Sequence, residues 1–137
     1  MIDHIIQPKI TNRYRVEFVN FREDDDNILS NQVITFSRPT KYIDGRCFVP
    51  GPIFIKFADD IHNKVITAIY SQITLQRAEY GTFTIILHVL DGDGNSYETT
   101  KYSGCKIKEI TPGELNYAHG DALTITLKID VCIMERM

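Results

Sequence analysis

The sequence predicts a mainly β (α+β) fold: an antiparallel β-sandwich or small barrel of two packed sheets, with one α-helix and an extended hairpin. Three observations carry that expectation. The segment Ala122–Ile133 (ALTITLKIDVCI) alternates apolar and polar residues along its length, and a period of two places each set on one face of a strand. Shorter runs of β-branched and aromatic residues, punctuated by Gly, Pro, Asp and Asn, recur along the rest of the chain. Only Ile61–Ile73 repeats its apolar residues every four positions, the spacing of an amphipathic helix.

Arg13–Phe21 (RYRVEFVNF) is the first expected strand, with Tyr14, Val16 and Phe18 on one side and Arg13, Arg15 and Glu17 on the other. The acidic run Arg22–Asn27 (REDDDN) interrupts it and reads as a solvated loop rather than a cation site. Gln32–Ser37 (QVITFS) follows, closed by Arg38-Pro39 because proline cannot donate to a ladder. Lys41–Pro52 reads as a hairpin turning at Asp44-Gly45, a pair favoured in two-residue turns. Its Tyr42, Ile43, Phe48 and Val49 have no evident core face to match. Ile53–Ala58 (IFIKFA) is a strand with Ile53, Ile55 and Phe57 on one face.

Asp59-Asp60 then supplies an N-cap and the charge suited to a helix start. Ile61, Val65, Ile69 and Ile73, with Ala68 beside them, form one stripe opposite His62, Lys64, Thr67 and Ser71. The helix should end between Thr74 and Ala78. Thr82–Leu90 is a strongly apolar strand, Asp91–Gly94 a tight turn, and Ser96–Thr100 and Cys105–Ile110 two further strands. In the final strand, Leu123, Ile125, Leu127, Ile129, Val131 and Ile133 are expected to face inward. The sum is seven or eight strands and one helix.

The 137 residues suit a single domain, 1–137, without repeats, low-complexity tracts or linkers. No apolar run approaches the roughly 20 residues of a membrane span, so no membrane insertion is expected. The opening MIDHIIQPKI lacks the basic and apolar regions of a signal peptide, which points to a cytosol-like compartment. A net charge of −3 speaks against a protein that holds nucleic acid by neutralising phosphates. Cys47, Cys105 and Cys132 are odd in number and form no CxxC pair. They read as reduced thiols, at least two of them small buried hydrophobes.

His4, His62, His88 and His119 share no metal-ligand spacing, and GxSxG, GxGxxG and GxxxxGK[ST] are all absent. Asp91, Asp93 and Asn95 match the start of a calcium loop, but its sixth position is Ser96 and its twelfth Tyr102. Strands flank it, so a hairpin turn is the reading. No catalytic residue, cofactor or metal ligand is assigned, and no enzymatic activity is expected.

Two stretches resemble the tail-tube proteins of contractile-tailed bacteriophages, whose superfamily includes the type VI secretion tube. Residues 52–73 (PIFIKFADDIHNKVITAIYSQI) are similar to that family's strand, acidic pair and helix, with Asp59, Asp60, Asn63 and Val65 at matching positions. Residues 102–130 are similar to its C-terminal pattern through Tyr102, Gly104 and Cys105, then Leu115 and Tyr117, then the long alternating strand. Gln32–Pro39 (QVITFSRP) resembles it more weakly. Residues 1–10 and the acidic loop 22–27 are not covered, which leaves room for a specialised relative such as a baseplate tube initiator.

The resemblance implies a structural subunit that forms homo-hexameric rings, stacked into the inner tube of a contractile tail. It implies as partners further copies of the chain and the sheath, baseplate and tape-measure proteins. DNA would pass through the lumen without specific binding. The location implied is the virion, after assembly in the host cytoplasm. Arg38, Tyr42, Ile43, Arg46, Phe48 and Val49 are the expected inter-subunit contacts, because unburied apolar patches mark partners. Thr124, Thr126, Lys128 and Asp130, the polar face of the last strand, are the lumen-facing candidates. A ring would also pair exposed strand edges around its circle. Alternatives are a tube initiator, a secretion-system tube, a monomeric ligand-binding β-barrel, and a small enzyme on a β scaffold.

Overall fold

The computed structural model of the chain describes residues 13–21, 28–45, 47–76, 81–115 and 123–137, apart from the side chains of Asp44, Cys47 and Phe48. Among these residues lie nine strands and two helices: β1 (Tyr14–Val19), α1 (Ile28–Asn31), β2 (Val33–Ser37), β3 (Lys41–Asp44), β4 (Cys47–Pro50), β5 (Ile53–Ala58), α2 (Lys64–Gln76), β6 (Phe83–Leu90), β7 (Ser96–Pro112), β8 (Thr124–Asp130) and β9 (Ile133–Arg136). All pairings are antiparallel. The main strand order is β1-β6-β7-β8-β5-β2, with β9 beside β7 and the β3–β4 hairpin as a sheet of its own.

β7 belongs to two layers. Its first half pairs with β6 and β9, and its second half, from Lys106 onward, pairs with β8. The first layer is therefore β1-β6-β7-β9 and the second β7-β8-β5-β2. Alternation aims one face of each layer at the other. Val16, Ile85, Leu87 and Tyr102 from the first meet Ile53, Ile55, Phe57, Leu127 and Ile129 from the second in one buried cluster. Phe18 and Phe57 connect the layers at 5.9 Å between ring centroids, and Phe21 packs edge-on against Phe83 at 4.9 Å. β1 and β2 do not pair with each other. Among the described residues the Tyr14 hydroxyl bridges them, donating to the Ile34 carbonyl at 3.2 Å, and the barrel is open along this seam.

α2 adds Val65, Ala68 and Ile69 to the cluster. Its start is built by Asp60, whose carboxylate accepts the amides of Lys64 and Val65 at 3.0 Å each. Asn63, with φ 58°, takes the left-handed turn just before the helix. Ile61 therefore precedes the helix and is 92% exposed, which removes it from the expected stripe. At the other end Gln76 forms a two-way amide clamp, accepting the Ile107 amide at 2.7 Å and donating to the Ile107 carbonyl at 3.1 Å. This ties the helix to β7 just past the point where that strand changes layers.

Four further expectations need correction. Ser96–Thr100 and Cys105–Ile110 are not separate strands but parts of β7, whose bend is made at Gly104. There φ is +66°, and a Cβ would lie 2.7 Å from that of Cys132, so glycine fits where another residue would clash. The last strand is not continuous: it ends at Asp130, and β9 resumes in the other layer with Ile133 opposite Ser103. Leu123 and Ile133, at or beyond the ends of β8, are exposed rather than inward. The hairpin register pairs Asp44 with Cys47, so Asp44 ends β3 and Gly45, at φ +62°, begins the turn. Finally, α1 was not expected. Its four residues bury Leu29 completely.

Candidate assembly surfaces

The hairpin leaves the core because β3 and β4 pair only with each other. Its base is closed by the Gly51 amide donating to the Thr40 carbonyl at 2.7 Å. Tyr42 is 57% exposed, Ile43 75% and Val49 48%, and Arg38 at the foot is exposed as well. Phe48 lies opposite Ile43 in the ladder, though its side chain is outside the described residues, as is Arg46. At the foot, Arg38, Lys41 and Arg136 surround a cleft of about 560 Å³ with Glu98 as the lining acid. Arg38 Nη1 lies 4.0 Å from Glu98 Oε1. Tyr102 also lines this cleft, and burial pushes its hydroxyl up to about 12 despite the opposing Arg38. This end of the molecule is apolar and cationic.

The lumen-facing candidates share one outward face of β8. Thr124, Thr126 and Lys128 are half-buried there and Asp130 is exposed. Register places Lys56 beside Thr126, Phe54 and Glu109 beside Lys128, and Lys106 beside Asp130. Lys108 pairs with Asp130 at 3.8 Å. Among the described residues this face carries Lys56, Lys106, Lys108 and Lys128 against Glu109 and Asp130, so the net acidity of the whole chain does not extend to it.

At the far end of the same layer lies a groove of about 440 Å³, lined by Asp59, Ile66, Tyr70, Ile110, Leu115 and Leu123 among others. Leu115 is 81% exposed, and Tyr70 and Leu123 are exposed with it. Asp59 Oδ1 is buried there without a hydrogen-bond partner among the described residues. Both aspartates are expected at the helix start, yet among the described residues only Asp60 caps it. Tyr117 lies outside the described residues.

One polar cluster had no sequence signal. On the outer face of the first layer, His88 Nε2 lies 3.2 Å from Glu17 Oε1, at ion-pair range but off hydrogen-bond alignment. His88 Nδ1 lies 3.4 Å from Ser96 Oγ and 3.3 Å from Thr99 Oγ1. Ser96 Oγ is closer to Thr99 Oγ1, at 3.0 Å, than to the imidazole. That distance to the imidazole is longer than an activated nucleophile needs, and the group lies on an open sheet face. The strands β1, β6 and β7 bring it together by register alone.

The Asp91 segment is a hairpin turn as expected, with Asp91 Oδ1 accepting the amides of Asp93 and Asn95 at 2.9 Å each. No group of three His, Cys, Asp or Glu among the described residues could hold a metal ion. None of the described helices is long and apolar enough to cross a membrane. Cys105 is buried, and desolvation pushes its thiol up to about 12, which makes it an inert packing residue; Cys132 is exposed.

No protein family and no curated protein matches the sequence. Solved structures do match the fold. A chain of the sheath–tube complex of an extracellular contractile injection system (PVC), in its extended state, is similar with a TM-score of 0.68 at 12% identity, over 99% of this chain and 93% of that one. A chain of the tube-terminating cap of the anti-feeding prophage is similar with a TM-score of 0.68 at 12% identity, over 97% and 93%. A variant of the Hcp1 protein from the E. coli EAEC 042 pathovar is similar with a TM-score of 0.60 at 10% identity, over 91% and 97%. The fold of this chain is thus shared, over nearly its whole length, with chains of contractile injection assemblies and with Hcp1.

Proposed function

We propose that the chain is a structural, non-enzymatic subunit of the inner tube of a contractile injection apparatus, assembling with copies of itself into rings that stack into a hollow conduit. The observation that supports this most is the pairing of that fold, shared over nearly the whole length of both chains, with a hairpin whose apolar side chains find no core of their own. A ring of six subunits, with sheath, baseplate and tape-measure proteins as neighbours, follows from the resemblance of residues 52–73 and 102–130 to phage tail tubes. In a phage the conduit would carry DNA at ejection. In this reading Arg38, Tyr42, Ile43, Arg46, Phe48 and Val49 form contacts between subunits, and Thr124, Thr126, Lys128 and Asp130 line the lumen.

A second reading, a tube terminator, draws on the likeness to the anti-feeding prophage cap and to a chain of the PVC sheath/tube terminator, the latter with a TM-score of 0.69. Negative-stain electron microscopy of the concentrated protein, beside light scattering for mass, separates the two. Stacked tubes of uniform diameter support the tube subunit, and single rings that never stack support the terminator. A strictly monomeric, well-folded particle at every concentration would overturn both and favour a ligand-binding barrel. Deleting Lys41–Val49 should abolish stacking while leaving the core folded; a barrel that uses the hairpin to cover its own mouth would lose stability instead.

A further inference from the structure

We infer that the groove around Asp59 is the socket that receives the hairpin of the next copy of this chain, so that subunits join head to tail along the strands of the second layer. The inference rests on the tube reading and names the surface that the hairpin meets.

The two surfaces sit at opposite ends of one sheet. The hairpin links β2 to β5 where Ser37 pairs with Phe54 and Ile53 with Ile129. The groove lies where Ala58 pairs with Thr124 and Pro112 with Ile125. The six residues of β5 separate the ends by about 17 Å at the usual rise per residue. Copies joined end to end in this way meet through two different patches. Such a heterologous contact leaves one free hairpin and one free socket after every addition, and so it propagates.

The chemistry of the two ends is complementary. The hairpin offers Tyr42, Ile43 and Val49 with Lys41, and the groove offers exposed Leu115, Tyr70 and Leu123 with the unpartnered Oδ1 of Asp59. A buried carboxylate oxygen costs free energy until a donor reaches it. Asp60 has its two amides, so the helix start does not account for Asp59. The Lys41 ammonium, exposed at the first residue of β3, is a donor of the right sign, carried into the groove by the apolar residues beside it.

The test uses the full chain with Cys47 and Cys132 both changed to Ser and a bis-maleimide cross-linker. Ile43→Cys and Leu115→Cys in one chain should give a ladder of covalent multimers on a denaturing gel. Each change alone should give none, and a mixture of the two single variants should give dimers. Separately, Asp59→Lys and Lys41→Asp should each raise the concentration needed for assembly roughly tenfold or more, and combining them should restore it, with thermal melts confirming that every variant is folded. Wild-type tubes whose assembly is indifferent to Asp59→Lys, with no ladder, would overturn the socket and leave the tube reading standing. Dimers from Ile43→Cys alone would overturn it in favour of a hairpin-to-hairpin contact. A wild-type chain that never assembles would overturn the socket and the tube reading together.

Discussion

β5 and the β3–β4 hairpin are neighbours in sequence and both rich in large apolar residues, yet they end in opposite environments. Ile53, Ile55 and Phe57 are fully buried, while Tyr42, Ile43 and Val49 stand in solvent. The difference lies in what each strand pairs with. β5 is flanked by β2 and β8, and its alternation agrees in phase with theirs, so one face is sealed against the first layer. The hairpin strands have only each other. A two-stranded ribbon has no second layer to bury its apolar side chains. On the tube reading, apolar content without a matching face within the subunit is meant for a neighbouring copy.

Substitutions can break this contrast. Ile55→Ala, which opens a cavity between the layers, should cost about 2–5 kcal/mol in denaturant unfolding; a loss below about 1 kcal/mol would show that the two layers are not in contact there. Gly104→Ala should cost about 1–3 kcal/mol, because it puts a Cβ into the left-handed region and against Cys132. Its effect should fall on the core side of the contrast and leave the hairpin's own ladder intact, which amide hydrogen exchange would show.

Asp60→Ala should cost about 1 kcal/mol as a lost helix cap. The amide of Val65 first, then that of Lys64, holds the Asp60 carboxyl below its ordinary 3.8. The cap is therefore complete above that ordinary value and is lost as pH falls through the depressed one. Asp60→Asn keeps an acceptor oxygen and should flatten this part of the acid limb of a stability–pH curve. Smallest of all, Ile43→Ser should change folding stability by less than about 0.5 kcal/mol while weakening assembly. A larger loss of stability would place Ile43 in a core contact and erase the contrast.

Much of the core was legible in the residues. β1, β5, α2, β6 and the body of β8 follow from alternation or helical spacing, because each buries one face and the pattern records it. What escaped notice was decided by partners rather than by pattern. Residues 101–104 fall between two expected strands; instead the chain runs on through them, and Gly104 lets one strand bend and exchange β6 for β8 as its neighbour. Val131 and Ile133 keep the beat of β8, but alternation says which side a residue takes within a strand and not which layer the strand is in. α1 is too short to show a period. Of the candidate site, the hairpin could be found as apolar residues without a face. The groove could not, because Asp59, Leu115 and Leu123 come together only when β5, β7 and β8 are aligned.

The sharing of β7 between both layers also sets an order of events. Tyr14 must wait for Val89, and Ile53 for Ile129, before either ladder can close. Neither layer is joined to the other until residues 96–112 have been made. Non-local pairings of this kind close slowly, whereas a hairpin closes in microseconds, on the order of 1–10. The β3–β4 ribbon, with its turn at Gly45, is formed locally and early. A growing chain therefore carries its sticky element before it has a body to hold it, and its yield in a cell will depend on how quickly β7 arrives.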